Sequence, residues 1–371
     1  MHIVQIASRV GPGTGIAAVA WNLEREFLAL GHSTERLITE PRAARTRFGH
    51  VLSQAWSTVH QTFRGTSDAR RLLAERPGAV TISHNAVMTG ELHVDHGMQL
   101  AAIAARGGVP WRLLRNPVVL FGWFRDGIRF RRRLHRVVVT PTAAEAATLR
   151  RLHPRSRTNV TVIPHGVDLD SFRPPTGDER RAARAALGLD DEHRVVLFIG
   201  HELRWKGVPL LIDALVHATT VMLLVVGGDA KTVPQMQRRA ERLGVADRVL
   251  FAGMHADVLP FYRAADMFAL PSDYESFGLV IAEALACGIP VVATRTGCAA
   301  DLVVEGETGF LVEPDAITVA ERLERIAATD VESWHDACRR SVAHLSWRAV
   351  AEQYVRLLSD VTAAEPSGVV R

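Results

Sequence analysis

Short apolar runs rich in β-branched residues recur at residues 2–8, 33–39, 79–85, 92–97, 136–142 and 160–164, and longer stretches of helical character fill the gaps between them. Strands alternating with helices build parallel α/β sheets, because joining two parallel strands takes a crossover long enough to hold a helix. The rhythm breaks between residues 168 and 191, where paired prolines, Gly177 and a dense run of charge read as a linker followed by a surface helix. It restarts with runs at 195–200, 221–227, 249–253, 266–272, 290–294 and 309–312. The pattern predicts an α/β fold of two Rossmann-like, doubly wound parallel-sheet domains facing across a cleft. The expected bounds are 1–168 and 169–345, then a helix over 346–362 that crosses back to the first domain and a flexible tail at 363–371.

At 371 residues each domain can bury a core of its own. The 47% hydrophobic and 23% charged content excludes disorder as a whole-chain property. A net charge of +4, from 44 basic and 40 acidic residues, gives no reason to expect a nucleic-acid partner. Cys287, Cys298 and Cys338 lack the paired spacing of a zinc site or a disulfide framework, which fits a reducing compartment. The apolar runs at 195–199 and 221–226 fall far short of the roughly 20 residues that cross a bilayer. The run at 2–7 is too short for a secretory leader, so a cytoplasmic location is expected.

Ligands of doubly wound sheets gather at the carboxyl ends of strands. The most informative segment there is 266–290, DMFALPSDYESFGLVIAEALACGIP, a strand whose loop feeds a helix over 279–287 that Gly288 and Pro290 close. Free N–H groups at such a helix start favour an anion, and Gly278 would let a ligand approach the backbone closely. Glu275 in the loop and Glu283 one turn into the helix suit sugar and ribose hydroxyls better than phosphate. Taken alone, the two glutamates fit a dipole partner and an ordinary helix former equally well. His84 and His96 stand at or near the ends of the third and fourth strands.

Glu275-Ser276-Phe277-Gly278-Leu279-Val280-Ile281-Ala282-Glu283 resembles the E-x7-E motif of retaining GT-B glycosyltransferases of the large fourth family. Three further segments are similar to that family. They are Val162-Ile-Pro-His-Gly-Val-Asp168 with Phe172 and Pro174, Arg204-Trp-Lys206-Gly207, and Gly297 with Asp301 and Thr308-Gly-Phe-Leu-Val312. The resemblance covers nearly the whole chain and is strongest from about 160 to 314. It implies the GT-B fold and metal-independent, retaining transfer of a sugar from a nucleoside diphosphate sugar, UDP or GDP being the expected nucleotide, to a hydroxyl acceptor. No cofactor and no metal are expected.

The resemblance also distributes roles. Arg204 and Lys206 would stabilise the leaving diphosphate, where fixed cations act most in the transition state. Glu283 would hold the ribose, and Glu275 with the amides of Ser276, Phe277 and Gly278 the donor sugar, Leu279 and Val280 completing the donor loop. The turn Gly11-Pro12-Gly13-Thr14-Gly15 would approach the diphosphate, and His96 would contact sugar or acceptor. Four positions depart from the family pattern: His165 where asparagine is common, His201 where arginine is common, Cys298 for a second glycine and Asp301 for a glutamate.

Other readings remain open. Gly11-x-Gly13-x-Gly15 after a strand, with Glu40 after the next, suggests a dinucleotide-dependent oxidoreductase, but that reading needs a third glycine of G-x-G-x-x-G at position 16, which is Ile16. A non-catalytic, sugar-binding descendant of the fold is a third. Asp168-Leu169-Asp170 spells the D-x-D of metal-dependent transferases but lies between the domains, and reads as structural. From Arg106 to Arg136 the chain holds nine arginines, one acid and five aromatics. This suits either a helix with buried aromatics and solvated arginines or peripheral contact with an anionic inner membrane face.

Overall fold

The computed structural model describes residues 1–11, 15–39, 57–84, 86–107, 117–190 and 192–363. They form two compact units, one running to Gly166 and including the helix Trp347–Ala363, the other spanning Val167–Ser346.

The first unit holds six parallel strands: β1 (His2–Ala7), β2 (Ser33–Ile38), β3 (Val80–Ser83), β4 (Gly90–Val94), β5 (His135–Thr140) and β6 (Asn159–Val162). Their order is β2-β1-β3-β4-β5-β6. The winding reverses between β1 and β3, whose register pairs Val4 with Thr81. Central β1 is apolar and buried through Ile3, Val4 and Ile6, whereas the polar edge strand β2 is only partly covered.

The second unit repeats the plan with β7 (Arg194–Gly200), β8 (Val221–Gly227), β9 (Val249–Gly253), β10 (Met267–Leu270), β11 (Val291–Ala293) and β12 (Gly309–Leu311), ordered β12-β11-β10-β7-β8-β9. This is the strand order of dinucleotide-binding sheets, with its reversal between β7 and β10. Phe198, Phe268 and Phe310 fill the core without any exposure. All twelve strands overlap a run expected from the sequence. The largest difference is β4, which ends at Val94 and leaves His96 in the following turn, where the Gly97 N–H donates to Asp95 Oδ1 at 2.9 Å.

Two expectations about surface helices need correction. The helix Gly177–Ala186 begins with a Thr176–Glu179 capping box but is not merely solvated. Arg184 is 2% exposed, and its guanidinium meets Asp266 Oδ2 at 3.3 Å, while Arg180 reaches Asp266 Oδ1 at 2.7 Å. Asp266 also accepts from the Val195 N–H at 2.8 Å, which fastens this helix to the entrances of β7 and β10. In the helix Pro117–Arg131, Phe130 is buried as expected, but Trp123 and Phe124 are 43% and 64% exposed while Arg129 is buried. Trp111, Arg112 and Arg115 of this basic stretch lie outside the described residues, as do Gly13, Thr14, Glu40 and the tail from 364. No described helix is long and apolar enough to cross a membrane.

Candidate active site

At the reversal point of the second sheet, the loops after β7 and β10 are pressed together. A side chain on Gly207 would come within 2.3 Å of the Pro271 carbonyl oxygen, and its φ of 90° suits glycine, so the β7 loop lies directly on the β10 loop. The Asp273 N–H donates to the Trp205 carbonyl at 3.0 Å across the same seam. Lys206 Nζ then reaches Glu275 Oε1 at 2.7 Å, and Ser272 Oγ donates to that oxygen at 2.9 Å. Arg204 points elsewhere: it is exposed, with its guanidinium 5.0 Å from the centre of the Trp205 ring. The structure thus joins Lys206 to Glu275 and does not join Arg204 to either.

The loop 273–278 ends at Gly278, φ 81°, which caps the helix Leu279–Ala286. Phe277 is buried, and Leu279 and Val280 are half-buried against the core. Behind the loop, the Cys298 N–H donates to the Phe277 carbonyl at 2.6 Å and the Cys298 thiol faces the Gly278 carbonyl at 3.5 Å. Cys298 has φ −76°, so glycine's freedom is not required there, and the substitution turns a family position into a buried brace. Asp301 is exposed and its N–H donates to the Cys298 carbonyl, which keeps its carboxylate out of the loop's support.

Glu283 is half-buried, and its Oε2 accepts from the Tyr262 hydroxyl at 2.8 Å. Burial raises its carboxyl to about 7, against a smaller opposing effect of the Tyr262 hydrogen bond. Near neutral pH, a hydroxyl donor or a cation that binds the carboxylate therefore favours its ionised form.

The first sheet's reversal point carries histidines. Gln5 on β1 donates from Nε2 to the Ala20 carbonyl at 2.9 Å, so its Oε1 accepts from His84 Nε2 at 2.9 Å. That leaves His84 Nδ1 to accept from His96 Nε2 at 3.0 Å, and His96 stacks on His165 with ring centres 5.3 Å apart. Burial drives His84 to about 3 and His165 to about 4, and holds His96 well below its ordinary range, so all three stay neutral. Beside them lies a cavity of about 230 Å³ lined by Asp95, His96, Trp123, Arg125 and Arg129 among others. Burial lifts Asp95 to about 6, and Arg125 forks onto Asp126 at 2.8–3.0 Å. Gly15, φ 72°, starts the helix Ile16–Ala29 and accepts from Ala18 and Val19.

Sequence reasoning singled out His84 and His96 but missed their direct bond and the Gln5 that holds His84, and it missed Tyr262 entirely, since nothing in the local pattern sets that tyrosine apart. The carboxylate of Asp168 takes the N–H groups of Asp170 and Ser171 at 3.2 and 3.1 Å and so serves its own turn. Among the described residues no group of three or more His, Cys, Asp or Glu is arranged to hold a metal.

Comparison with known proteins agrees with this geometry. Curated relatives include D-inositol 3-phosphate glycosyltransferases from Mycolicibacterium smegmatis, 36% identical over 63% of this chain and 56% of the relative, and from Segniliparus rotundus, 40% identical over 58% and 50%. The chain thus spans about half the length of the curated relatives it matches. The fold is that of sucrose-phosphate synthase from Thermosynechococcus elongatus, with a TM-score of 0.78 at 22% identity covering 98% of this chain and 100% of that one. It is equally that of WaaG, a glycosyltransferase involved in lipopolysaccharide biosynthesis, with a TM-score of 0.76 at 19% identity over 96% and 99%. Both six-stranded parallel sheets therefore have GT-B architecture, and residues 179–337 match the family Glycosyl transferases group 1.

Proposed function

We propose that the protein is a retaining, metal-independent glycosyltransferase that moves a sugar from a UDP or GDP sugar to a hydroxyl acceptor. The observation that carries this reading is the Lys206–Glu275 contact of 2.7 Å at the reversal point of the second sheet, beside the Gly278 helix start. An ammonium there stabilises the diphosphate as it leaves, and the adjoining carboxylate accepts from hydroxyls of the transferred sugar. Glu283 takes the ribose, Arg204 supplies a second cation from the exposed side, and His96, over the cavity of the first unit, takes the acceptor. Anabaena HepE, whose solved structure with UDP-glucose aligns at a TM-score of 0.69, supports the choice of UDP sugars. The names of the curated relatives make phosphorylated polyols the first acceptors to try.

The test is a screen for donor hydrolysis and transfer across nucleotide sugars, run with and without EDTA, with the product anomer read by NMR. Turnover that survives EDTA and keeps the donor's anomeric configuration supports the reading. A strict divalent-metal requirement or an inverted anomer contradicts it. Exposed Leu120, Trp123 and Phe124, close in sequence to exposed Arg131, Arg132 and Arg133, further support peripheral contact with an anionic membrane.

A further inference from the structure

The segment Val167–Pro174 has no role in the chemistry above, yet Phe172 within it sets its ring edge-on to Tyr262, with centres 5.6 Å apart at 83°. Phe268 of β10 flanks the same tyrosine at 6.1 Å, and Tyr262 has no exposure at all. Arg339 ties the arrangement down by donating to the carbonyls of Leu169, Phe172 and Ala286, the last at the end of the helix that carries Glu283. The Tyr262 hydroxyl thus faces that helix, its oxygen 2.8 Å from Glu283 Oε2 and 3.2 Å from the Val280 carbonyl. A fully buried hydroxyl held by packing on both faces spends little entropy in keeping a carboxylate oriented.

We propose that Tyr262 is a positioning residue for Glu283: its O–H holds Oε2, so that Oε1 is the oxygen presented to a ribose hydroxyl of the donor. This rests on the reading of Glu283 as the ribose ligand. The phenol favours the ionised carboxylate, whereas burial favours the protonated one. Other titratable groups in the neighbourhood are Cys287 at the end of the same helix, and Arg263 and Arg339, which act on Cys287. Burial and the Glu283 charge raise the Cys287 thiol, which therefore stays protonated near neutral pH.

The experiment measures binding of UDP and GDP to the full chain, each beside its 2′,3′-dideoxy counterpart, from pH 6 to 9. It compares the wild type, Tyr262→Phe, Glu283→Gln and the double variant. Titration of the phosphates is common to each nucleotide pair, so their ratio isolates the ribose hydroxyls. The wild type should prefer the ribonucleotide by about tenfold, as expected of a hydrogen bond to a charged group. That preference should grow as pH rises through about 7, where Glu283 ionises. Tyr262→Phe, which keeps the ring packing, should cut the preference to roughly threefold or less at pH 7 and move its rise to higher pH. The double variant should be no worse than Glu283→Gln, because the tyrosine acts through the glutamate. A wild-type preference that Glu283→Gln abolishes but Tyr262→Phe leaves unchanged in size and pH dependence would overturn this inference and leave the ribose reading standing. A preference that survives Glu283→Gln would overturn both.

Discussion

The two sheets reverse their winding at equivalent places and furnish those places in opposite ways. At the second reversal point the functional groups are charged and set on loops that glycines allow to touch: Lys206 on Glu275, 69 residues apart in sequence, with Glu283 one turn into the helix that follows. At the first they are neutral polar groups drawn from separate elements, Gln5 on β1, His84 after β3, His96 after β4 and His165 after β6. On the proposed reading, the contrast lets one architecture serve two tasks. A fixed charge beside a helix start suits a ligand whose charge grows during reaction. Neutral polar groups over a cavity suit a hydroxyl compound that must be oriented by hydrogen bonds.

The sharpest way to break this comparison is to remove the charge. Lys206→Ala should lower the single-turnover transfer rate by about 10² to 10³, the usual loss for one preorganised stabiliser of developing charge. Its stability should fall by less than the rate loss implies, although Glu275, with its side chain only 10% exposed, is left without its cation. Equal losses of rate and stability would instead make the Lys206–Glu275 pair a structural brace.

Acid should separate the two units. The folded values of His84 and His165, about 3 and about 4, lie below the ordinary 6.5. An unfolded chain therefore takes up protons below pH 6.5 that the folded one refuses, and stability falls as pH drops. Each residue should cost on the order of 2 kcal/mol by pH 5. Hydrogen exchange should show β1 and β3 opening more readily at pH 5 than at pH 7, with β7 and β10 changing less.

Glu283 works the other way. Its carboxyl is raised from 4.5 to about 7, so the folded state holds the proton more tightly, and stability is lost as pH climbs through that window. Glu283→Gln should therefore raise the melting temperature at pH 8 by about 3 °C and leave it unchanged at pH 4.5, while weakening donor binding. A gain at acid pH would contradict the account of the shift. The smallest effect expected is at the surface. Partition onto anionic rather than neutral liposomes should weaken as salt shortens the Debye length from about 10 Å at 0.1 M to about 3 Å at 1 M. Arg131, Arg132 and Arg133 changed together to Gln should weaken it as well, and equal partition to both liposome types would remove the membrane contact.

The same contrast governs what could be read from the sequence. Strand positions were legible because buried parallel strands are continuous apolar runs, and the Lys206, Glu275 and Gly278 site because its parts follow strand ends within a few residues. The histidine chain was not legible, since Gln5 and His84 meet only when β1 and β3 pair, 79 residues apart. Tyr262 and Arg184 escaped for a related reason. Each sits on an amphipathic helix with no local signal of its special partner, and burial emerges only once Phe172 and Asp266 arrive from distant segments. Arginine-rich composition misled for the helix Pro117–Arg131, because burying Arg129 needs partners such as the Val87 carbonyl, which its own sequence does not announce.

The central claim, that the second reversal point is a nucleoside diphosphate site, is tested most directly by calorimetric titration of the wild type and Lys206→Ala with UDP, GDP and NAD. The account predicts that UDP or GDP binds the wild type, that Lys206→Ala weakens this binding about tenfold or more, and that NAD does not bind. Binding of NAD, or nucleoside diphosphate binding indifferent to the loss of Lys206, would contradict it.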